Sequence, residues 1–180
     1  YSLGKAIKDG FVKTPAVATR KDFDPSQHSD EELDRIKLED GIRIHEDTRV
    51  ALDIYARDNK TFHVKPFILV VAKDTQHAGQ LKELIASDGF FEGRYAGKVM
   101  EIHSNQRGSE KDENIEKLLS LEDADNEIEI VIHVNMLKEG WDVTNLYTII
   151  PLRTAASTTL REQTIGRGLR LPYGDITGDA

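Results

Sequence analysis

The sequence predicts an α/β protein built around a parallel sheet. Four short apolar runs rich in β-branched residues are separated by stretches with helical spacing. Buried parallel strands show continuous apolar runs rather than alternation, and strands that alternate with helices are typical of parallel βαβ units. The predicted strands cover residues 67–72, 99–103, 128–134 and 147–152.

Two helical patterns connect these runs, at residues 75–87 and 114–121. Crossovers between parallel strands are right-handed, and ligands bind beyond the carboxyl ends of the strands. We therefore expect the binding edge where His103 is followed by Ser104, from Asn135 onward, and from Arg153 onward.

The first sixty residues predict a separate helical segment. Residues 24–28 have the composition of a loop, and Ser29 with Glu32 forms a capping-box pattern that begins a short helix. That helix is expected to run towards Asp40 and to end at Gly41, and a second one is expected over 47–57. We favour an accessory helical hairpin without chemistry.

Composition restricts the classes of function. The 180 residues carry 24 basic and 32 acidic side chains, a net charge of −8, which excludes a coat protein with a basic surface but leaves room for a local basic site. The chain has no cysteine, so disulfides and thiolate metal sites are excluded. A reducing compartment fits, and we expect the cytoplasm. No apolar run is long enough to span a bilayer. The start lacks an initiator Met and a signal peptide, which suggests a piece of a longer chain.

Charge is unevenly distributed along the chain. Residues 22–47 and 110–129 are strongly acidic, which is typical of solvated faces and loops. Residues 153–170 instead carry four arginines against one glutamate. This basic stretch requires an explanation.

A helix over residues 163–170 would place Gln163, Arg167 and Arg170 on one face, within about 60° at 100° per residue. Ile165 and Leu169 would lie on the opposite face. Two arginines on one face suit a polyphosphate whose charge grows in a transition state. A surface helix with solvated arginines is the open alternative.

A second segment, residues 135–143, directly follows the run that ends at Val134. Gly140 permits a tight turn or a close backbone contact, and Asp142 can accept hydrogen bonds from a hydroxyl or pair with an arginine. Trp141 is expected to pack beneath the loop.

The order of these segments resembles motifs V and VI of superfamily 2 helicases. Residues 136–143, Met-Leu-Lys-Glu-Gly-Trp-Asp-Val, resemble in particular the restriction (Res) subunit of type III restriction–modification enzymes. Residues 1–15 resemble the place in that family where the chain leaves the first motor domain, and residues 67–80 resemble its motif IV region. The resemblance implies the second RecA-like domain of a helicase motor.

The resemblance also implies roles for single residues. Arg167 and Arg170 would be arginine fingers towards the γ-phosphate of ATP, and Gln163 would position them or the attacking water. Gly140 and Asp142 would lie near the nucleotide.

At the nucleic acid, the resemblance implies that Ser104 faces the backbone. Asn135 stands where many relatives have a threonine, so its contact would lack a hydroxyl.

The implied organisation has four parts: a linker from a missing first motor domain (1–21), an accessory helical segment (22–62), the second RecA-like domain (63–174) and the start of another linker (175–180). ATP and Mg²⁺ would be bound mainly by the missing domain. The implied partners are double-stranded DNA, that first motor domain and a methyltransferase (modification) subunit, with no membrane.

Motifs that would complete a nucleotide site are missing from the sequence. A phosphate-binding loop needs Gly-x-x-x-x-Gly-Lys-Ser/Thr after a strand. Residues 93–98 are one residue short of that spacing, and Val99 follows where a hydroxyl is needed. No metal-binding histidine spacing or convincing nuclease cluster is present.

Three interpretations stay open at this point. The first is the ATP-driven motor domain of a type III restriction subunit. The second is a superfamily 2 helicase without a nuclease, and the third is a non-catalytic α/β binding module.

Overall fold

The computed structural model describes residue 5 and residues 8–9, 12–103, 109–134 and 143–152. Three single turns of 3-10 helix lie at Pro25–Gln27, Phe91–Gly93 and Ser120–Glu122. The helices and strands follow in the order α1 (Asp30–Asp58), β1 (Phe67–Val71), α2 (Thr75–Ala86), β2 (Val99–His103), α3 (Ser109–Leu119), β3 (Ile130–Val134) and β4 (Leu146–Pro151).

The strands form one parallel sheet in the order β2-β3-β1-β4. All five residues of β1 and of β3 are buried, which explains their unbroken apolar sequence. All four predicted strands are confirmed, with boundaries that differ by at most two residues.

Both faces of the sheet are covered by helices. On one face, α1 and α2 pack Leu38, Ile42, Leu81 and Ile85 into the larger core cluster. On the other face, Leu118 of α3 and Leu121 pack against the side chains that point the opposite way from β1 and β3. The alternation of Ile68 and Val70 with Phe67 and Leu69 between the two clusters follows from the pleat of the strand.

The helical segment before the sheet differs from the prediction. Instead of two helices separated at Gly41, one 29-residue helix runs through residues 30–58. Gly41 lies inside it, where a Cβ would clash with the side chain of Ile150 on β4, and the Cβ–Cγ1 distance would be 2.6 Å. This glycine therefore permits close helix–sheet packing and does not end the helix.

The start of α1 follows the sequence prediction. Ser29 Oγ accepts a hydrogen bond from the Glu32 amide at 3.2 Å, and Glu32 Oε2 accepts one from the Ser29 amide at 2.9 Å, which is a complete capping box. Before it, residues 25–27 form a 3-10 turn rather than an irregular loop, because Asp24 caps the Ser26 amide. The domain boundaries at residues 21, 62 and 174 stay predictions.

Strand β4, which is outermost among the described strands, contains an irregularity near its start. Phe67 is paired with Leu146 and Ile68 with Thr148, so Tyr147 is an extra residue without a partner position on β1. This β-bulge shifts the side chains of β4 by one position. Such bulges re-aim side chains at sheet edges.

Candidate nucleotide and nucleic-acid site

All four strands run in the same direction, so their carboxyl ends form one edge of the sheet. His103 at the end of β2 is the register partner of Val134 at the end of β3. Val71 at the end of β1 is the register partner of His133 and of Pro151. The chain therefore leaves neighbouring strands at neighbouring points, which is the arrangement that forms ligand sites in open parallel sheets.

The seven site residues predicted from the sequence lie outside the residues that the structure describes. Ser104 is the next residue in sequence after β2, and Asn135 is the next after β3. The remaining five belong to stretches that begin after β3 and β4: Gly140, Asp142, Gln163, Arg167 and Arg170.

A described polar cluster lies at the carboxyl end of the central strand β1. Asp74 caps α2, because its Oδ1 accepts a hydrogen bond from the His77 amide at 2.8 Å. His77 Nδ1 accepts from the Lys73 amide at 3.1 Å, so the ring proton is on Nε2. That proton points to Asp34 Oδ2 at 2.8 Å. The histidine thereby connects the turn after β1 to helix α1.

This cluster was not predicted, although its sequence signal is present. A Lys-Asp-Thr stretch directly follows a buried strand, and a polar residue at that place commonly caps the next helix. Lys73 Nζ lies 3.7 Å from Asp34 Oδ2 and 3.8 Å from Asp30 Oδ2. The carboxylate of Asp34 is only 10 % exposed. It accepts a hydrogen bond from His77 and also lies close to the ammonium of Lys73. No periodicity rule places a residue of α1 against this turn.

Buried charge is concentrated at the opposite, amino edge of the sheet. Glu129, just before β3, accepts from Lys98 Nζ at 2.7 Å, and its other oxygen lies 3.2 Å from His45 Nε2 and 3.3 Å from Arg49. Burial disfavours ionisation of Glu129, but the hydrogen bonds of His45 and Lys98 and the charges of Lys98 and Arg49 outweigh it and lower its pKa to about 2. The network joins α1 to the starts of β2 and β3.

The incomplete phosphate-loop pattern at residues 93–98 belongs to this amino edge. Lys98 contacts Glu129, and the stretch comes before β2 rather than after a strand. Within it, Tyr95 donates to Glu46 Oε1 at 3.1 Å, and Arg94 is bonded to the same carboxylate. Burial, then the charge of Glu46, raises the pKa of Tyr95 and keeps it a donor. The arrangement supports the exclusion of a phosphate loop here.

Among the described residues, no three His, Cys, Asp or Glu side chains come together as a metal-binding group. No helix in the same part of the chain is sufficiently long and apolar to cross a membrane.

Comparison with known proteins identifies relatives of this chain. Residues 58–172 match the family described as helicase conserved C-terminal domain. The Res subunit of the type III restriction–modification enzyme EcoPI of Escherichia phage P1 is 33% identical over 119 residues, which cover 60% of this chain and 11% of that protein. The EcoP15I Res subunit of Escherichia coli is 35% identical over 105 residues, 49% of this chain and 10% of that protein.

A third relative, the StyLTI Res subunit of Salmonella typhimurium, is 41% identical over 65 residues, 34% of this chain and 7% of that protein. The chain thus spans about a tenth of the length of the first two relatives. The predicted RecA-like α/β class is confirmed by the family match together with the parallel sheet and its flanking helices. This chain belongs to the helicase conserved C-terminal domain family, and it is similar in sequence to the Res subunits of type III restriction–modification enzymes.

Proposed function

We propose that this chain is the C-terminal motor domain of a type III restriction endonuclease subunit. In this proposal it supplies arginine fingers for ATP hydrolysis, and hydrolysis drives translocation along double-stranded DNA before the DNA is cleaved. The observation that carries the proposal is the helicase match over residues 58–172, which spans both arginine-bearing and glycine-bearing segments. The sequence similarity to three Res subunits favours a type III restriction subunit over other helicases.

Arg167 and Arg170 would act on the γ-phosphate. A planar guanidinium offers several donors in a fixed fork, which suits oxygens whose charge rises during phosphoryl transfer. Gln163, on the same predicted helix face, would orient these arginines or the attacking water. The chain's contribution would be electrostatic stabilisation and positioning.

The other sequence-predicted residues would hold the substrates in place. Gly140 would let the backbone approach the phosphates, and Asp142 would bond the ribose or an arginine. Ser104 and Asn135 would contact the DNA backbone, which positions a protein without reading sequence. The side-by-side ends of β2 and β3 support a common role for the two residues that follow them.

ATP and Mg²⁺ would be bound mainly by the first RecA-like domain of the same protein. Two observations support this division: the sequence has no phosphate-binding loop, and the described residues hold no cluster of metal-ligand side chains. Mg²⁺ would neutralise phosphate charge when bound there. The methyltransferase (modification) subunit is proposed as a partner from the likeness to Res subunits of restriction–modification enzymes.

The experiment uses the full-length protein that contains this chain. Arg167→Ala and Arg170→Ala should each lower ATP hydrolysis by about 10³-fold or more, because arginine fingers act on charge that develops in the transition state. The dissociation constant for ATP should change far less. Lysine at either position should not restore the rate, since its point charge lacks the planar fork.

Arg161→Ala is the matched control: Arg161 lies two residues before the predicted helix, and continued helical geometry would turn it about 160° away from Gln163. It should leave the rate of hydrolysis unchanged. Full hydrolysis after both Arg167→Ala and Arg170→Ala would contradict the proposal and leave the alternative of solvated surface arginines. ATP-driven motion along DNA without DNA cleavage would favour a helicase that lacks a nuclease.

A further inference from the structure

The segment between residues 12 and 29 has one buried side chain, that of Lys13. Lys13 is 7% exposed, whereas every other residue of this described segment is exposed or only partly covered. A lysine is among the residues least often buried, so its place inside the fold requires a specific reason.

The Lys13 ammonium sits on the start of strand β4. Its Nζ donates to the main-chain oxygens of Thr144 and Leu146, both at 2.9 Å, and lies 3.8 Å from the ring centroid of Tyr147. The intervening oxygen, that of Asn145, accepts from β1 instead. Lys13 therefore occupies acceptors on the side of β4 that faces away from β1, next to the bulge at Tyr147.

These contacts do not depend on a carboxylate. Burial alone lowers the pKa of Lys13 to about 7. A neutral amine still has two protons, enough for the two carbonyl oxygens, while the charged form adds attraction to the aromatic ring. Lys13 can therefore make its contacts with β4 in either protonation state.

A second, weaker attachment lies further along the segment. Arg20 binds the carboxylate of Asp40 on α1 through two hydrogen bonds of 2.7 and 2.8 Å, but the pair is largely exposed. Exposed ion pairs contribute about 0–1 kcal/mol. Lys13 is therefore the main fixed point of the segment.

We propose that Lys13 is a pin that fastens the incoming chain to β4 and so fixes where the hinge towards the preceding motor domain ends. This inference rests on the proposed function only for the existence of that domain. With Lys13 pinned, residues 14–28 move with the sheet and are not part of the hinge. Lys13 is thus a positioning residue, remote from the nucleotide.

Release of Lys13 would lengthen the connection by the six residues before Arg20, and by about fifteen residues once the weaker Arg20–Asp40 pair also opens. A flexible chain of that length has an end-to-end distance of roughly 20 Å. Arginine fingers need placement to within about 1 Å, since misplacement of that size costs about 10²-fold in rate. A longer linker would therefore misplace the arginine fingers and lower the rate of ATP hydrolysis, while every group that binds ATP would remain.

The pin is tested first on this chain by ¹⁵N relaxation of Lys13→Met and Lys13→Ala. Order parameters for residues 14–19 should fall from about 0.8 to below about 0.6, because the methionine keeps the apolar stem but has no donors. Lys21→Ala, an exposed lysine of the same segment, is the control and should change nothing. Unchanged order in Lys13→Met, or an equal loss of order in β1 and α1, would overturn the pin.

The hinge role is tested on the full-length protein. Lys13→Met should lower kcat for ATP hydrolysis by about 10-fold or more, with the dissociation constant for ATP unchanged. An unchanged kcat combined with a loosened segment would overturn the hinge role. Absence of ATP hydrolysis in the wild-type protein would instead refute the proposed function, and the relaxation result would still decide the pin.

Discussion

Glu129 gathers His45, Arg49 and Lys98 around one buried carboxylate. Its pKa, about 2 against an ordinary 4.5, means that the native state holds its proton less tightly than the unfolded chain does. A group of this kind contributes stability that is present above the unfolded pKa and is lost as the pH falls through the folded pKa. The relevant window runs from about pH 5 down to pH 2.

Glu129→Gln should lower the free energy of unfolding at pH 7 by roughly 2–4 kcal/mol. The amide cannot neutralise Lys98 and Arg49, and a buried pair that loses one partner leaves an uncompensated charge. The variant should also lose less stability than the wild type between pH 5 and pH 2. Urea unfolding at several pH values measures both effects.

Glu127→Gln is the matched control, two residues away on an exposed side chain. It should keep the wild-type pH dependence and change stability by less than about 0.5 kcal/mol. An equal loss in both variants would mean that general surface charge, and not the buried network, stabilises the amino edge.

Among the elements, α1 depends on the absence of a side chain at Gly41. Alanine is better than glycine in a helix by about 1 kcal/mol, but a Cβ here would overlap Ile150 of β4. Overpacking a core costs about 1–3 kcal/mol. Gly41→Ala should therefore destabilise the protein by about 1–2 kcal/mol despite its helix propensity, as measured by urea unfolding.

Gly79 of α2 is the control, because a Cβ there would meet nothing within 4 Å. Gly79→Ala should stabilise the protein by about 0.5–1 kcal/mol. In an Ile150→Ala background the cost of Gly41→Ala should largely disappear. A stabilising Gly41→Ala in the wild-type background would show that α1 moves away from β4 at no cost.

The strands were predictable because burial on both faces makes each one a continuous apolar run, and the Ser29–Glu32 cap was predictable because its pattern is local. The prediction that Gly41 ends a helix is wrong for the opposite reason, because the role of this residue depends on a distant contact. A glycine can mark the end of a helix or a place where two backbones pack closely. The residue that decides between these roles for Gly41 is Ile150 on β4, more than a hundred residues later in the sequence. The contact of His77 with Asp34 is likewise tertiary and has no periodic signal.

For the molecule as a whole, this chain alone should not hydrolyse ATP. Its sequence lacks the groups that hold phosphates and magnesium, and arginine fingers act on a nucleotide already bound elsewhere. The rate with Mg²⁺ and duplex DNA should equal that of buffer in a phosphate-release assay. Turnover that co-purifies with the chain and disappears in Arg170→Ala would contradict this expectation.

The same chain should bind duplex DNA weakly and without sequence preference. A net charge of −8 gives no general attraction, so we expect binding to depend on a few local phosphate contacts. Fluorescence anisotropy should show affinity that falls with salt, with a logarithmic slope of about −2 for two or three contacts. Tight binding to one duplex that resists salt would indicate a recognition module instead of a motor domain.

The site residues are predictions from motif spacing, and the fold bears on two of them. Parallel pairing of β2 with β3 makes Ser104 and Asn135 successors of two partnered residues. The helical periodicity of residues 163–170 fits a face that binds a nucleotide and a face exposed to solvent equally well. Periodicity shows which residues share a face, but it does not show what that face contacts. The family match covers both arginines, and their roles stay predictions.

The length of α1 has a mechanical consequence. Its 29 residues extend about 43 Å, whereas a five-residue strand spans about 16 Å. Asp34 meets the carboxyl edge of the sheet and His45 the amino edge, so residues 46–58 extend about 20 Å further. The helix is held along its length: Asp34 contacts His77 at the carboxyl edge, Arg49 contacts Glu129 at the amino edge, and Leu52 and Ala56 are buried further along. A tilt of α1 would therefore strain contacts at both edges of the sheet at once, so the helix acts as a rigid brace that couples the two edges.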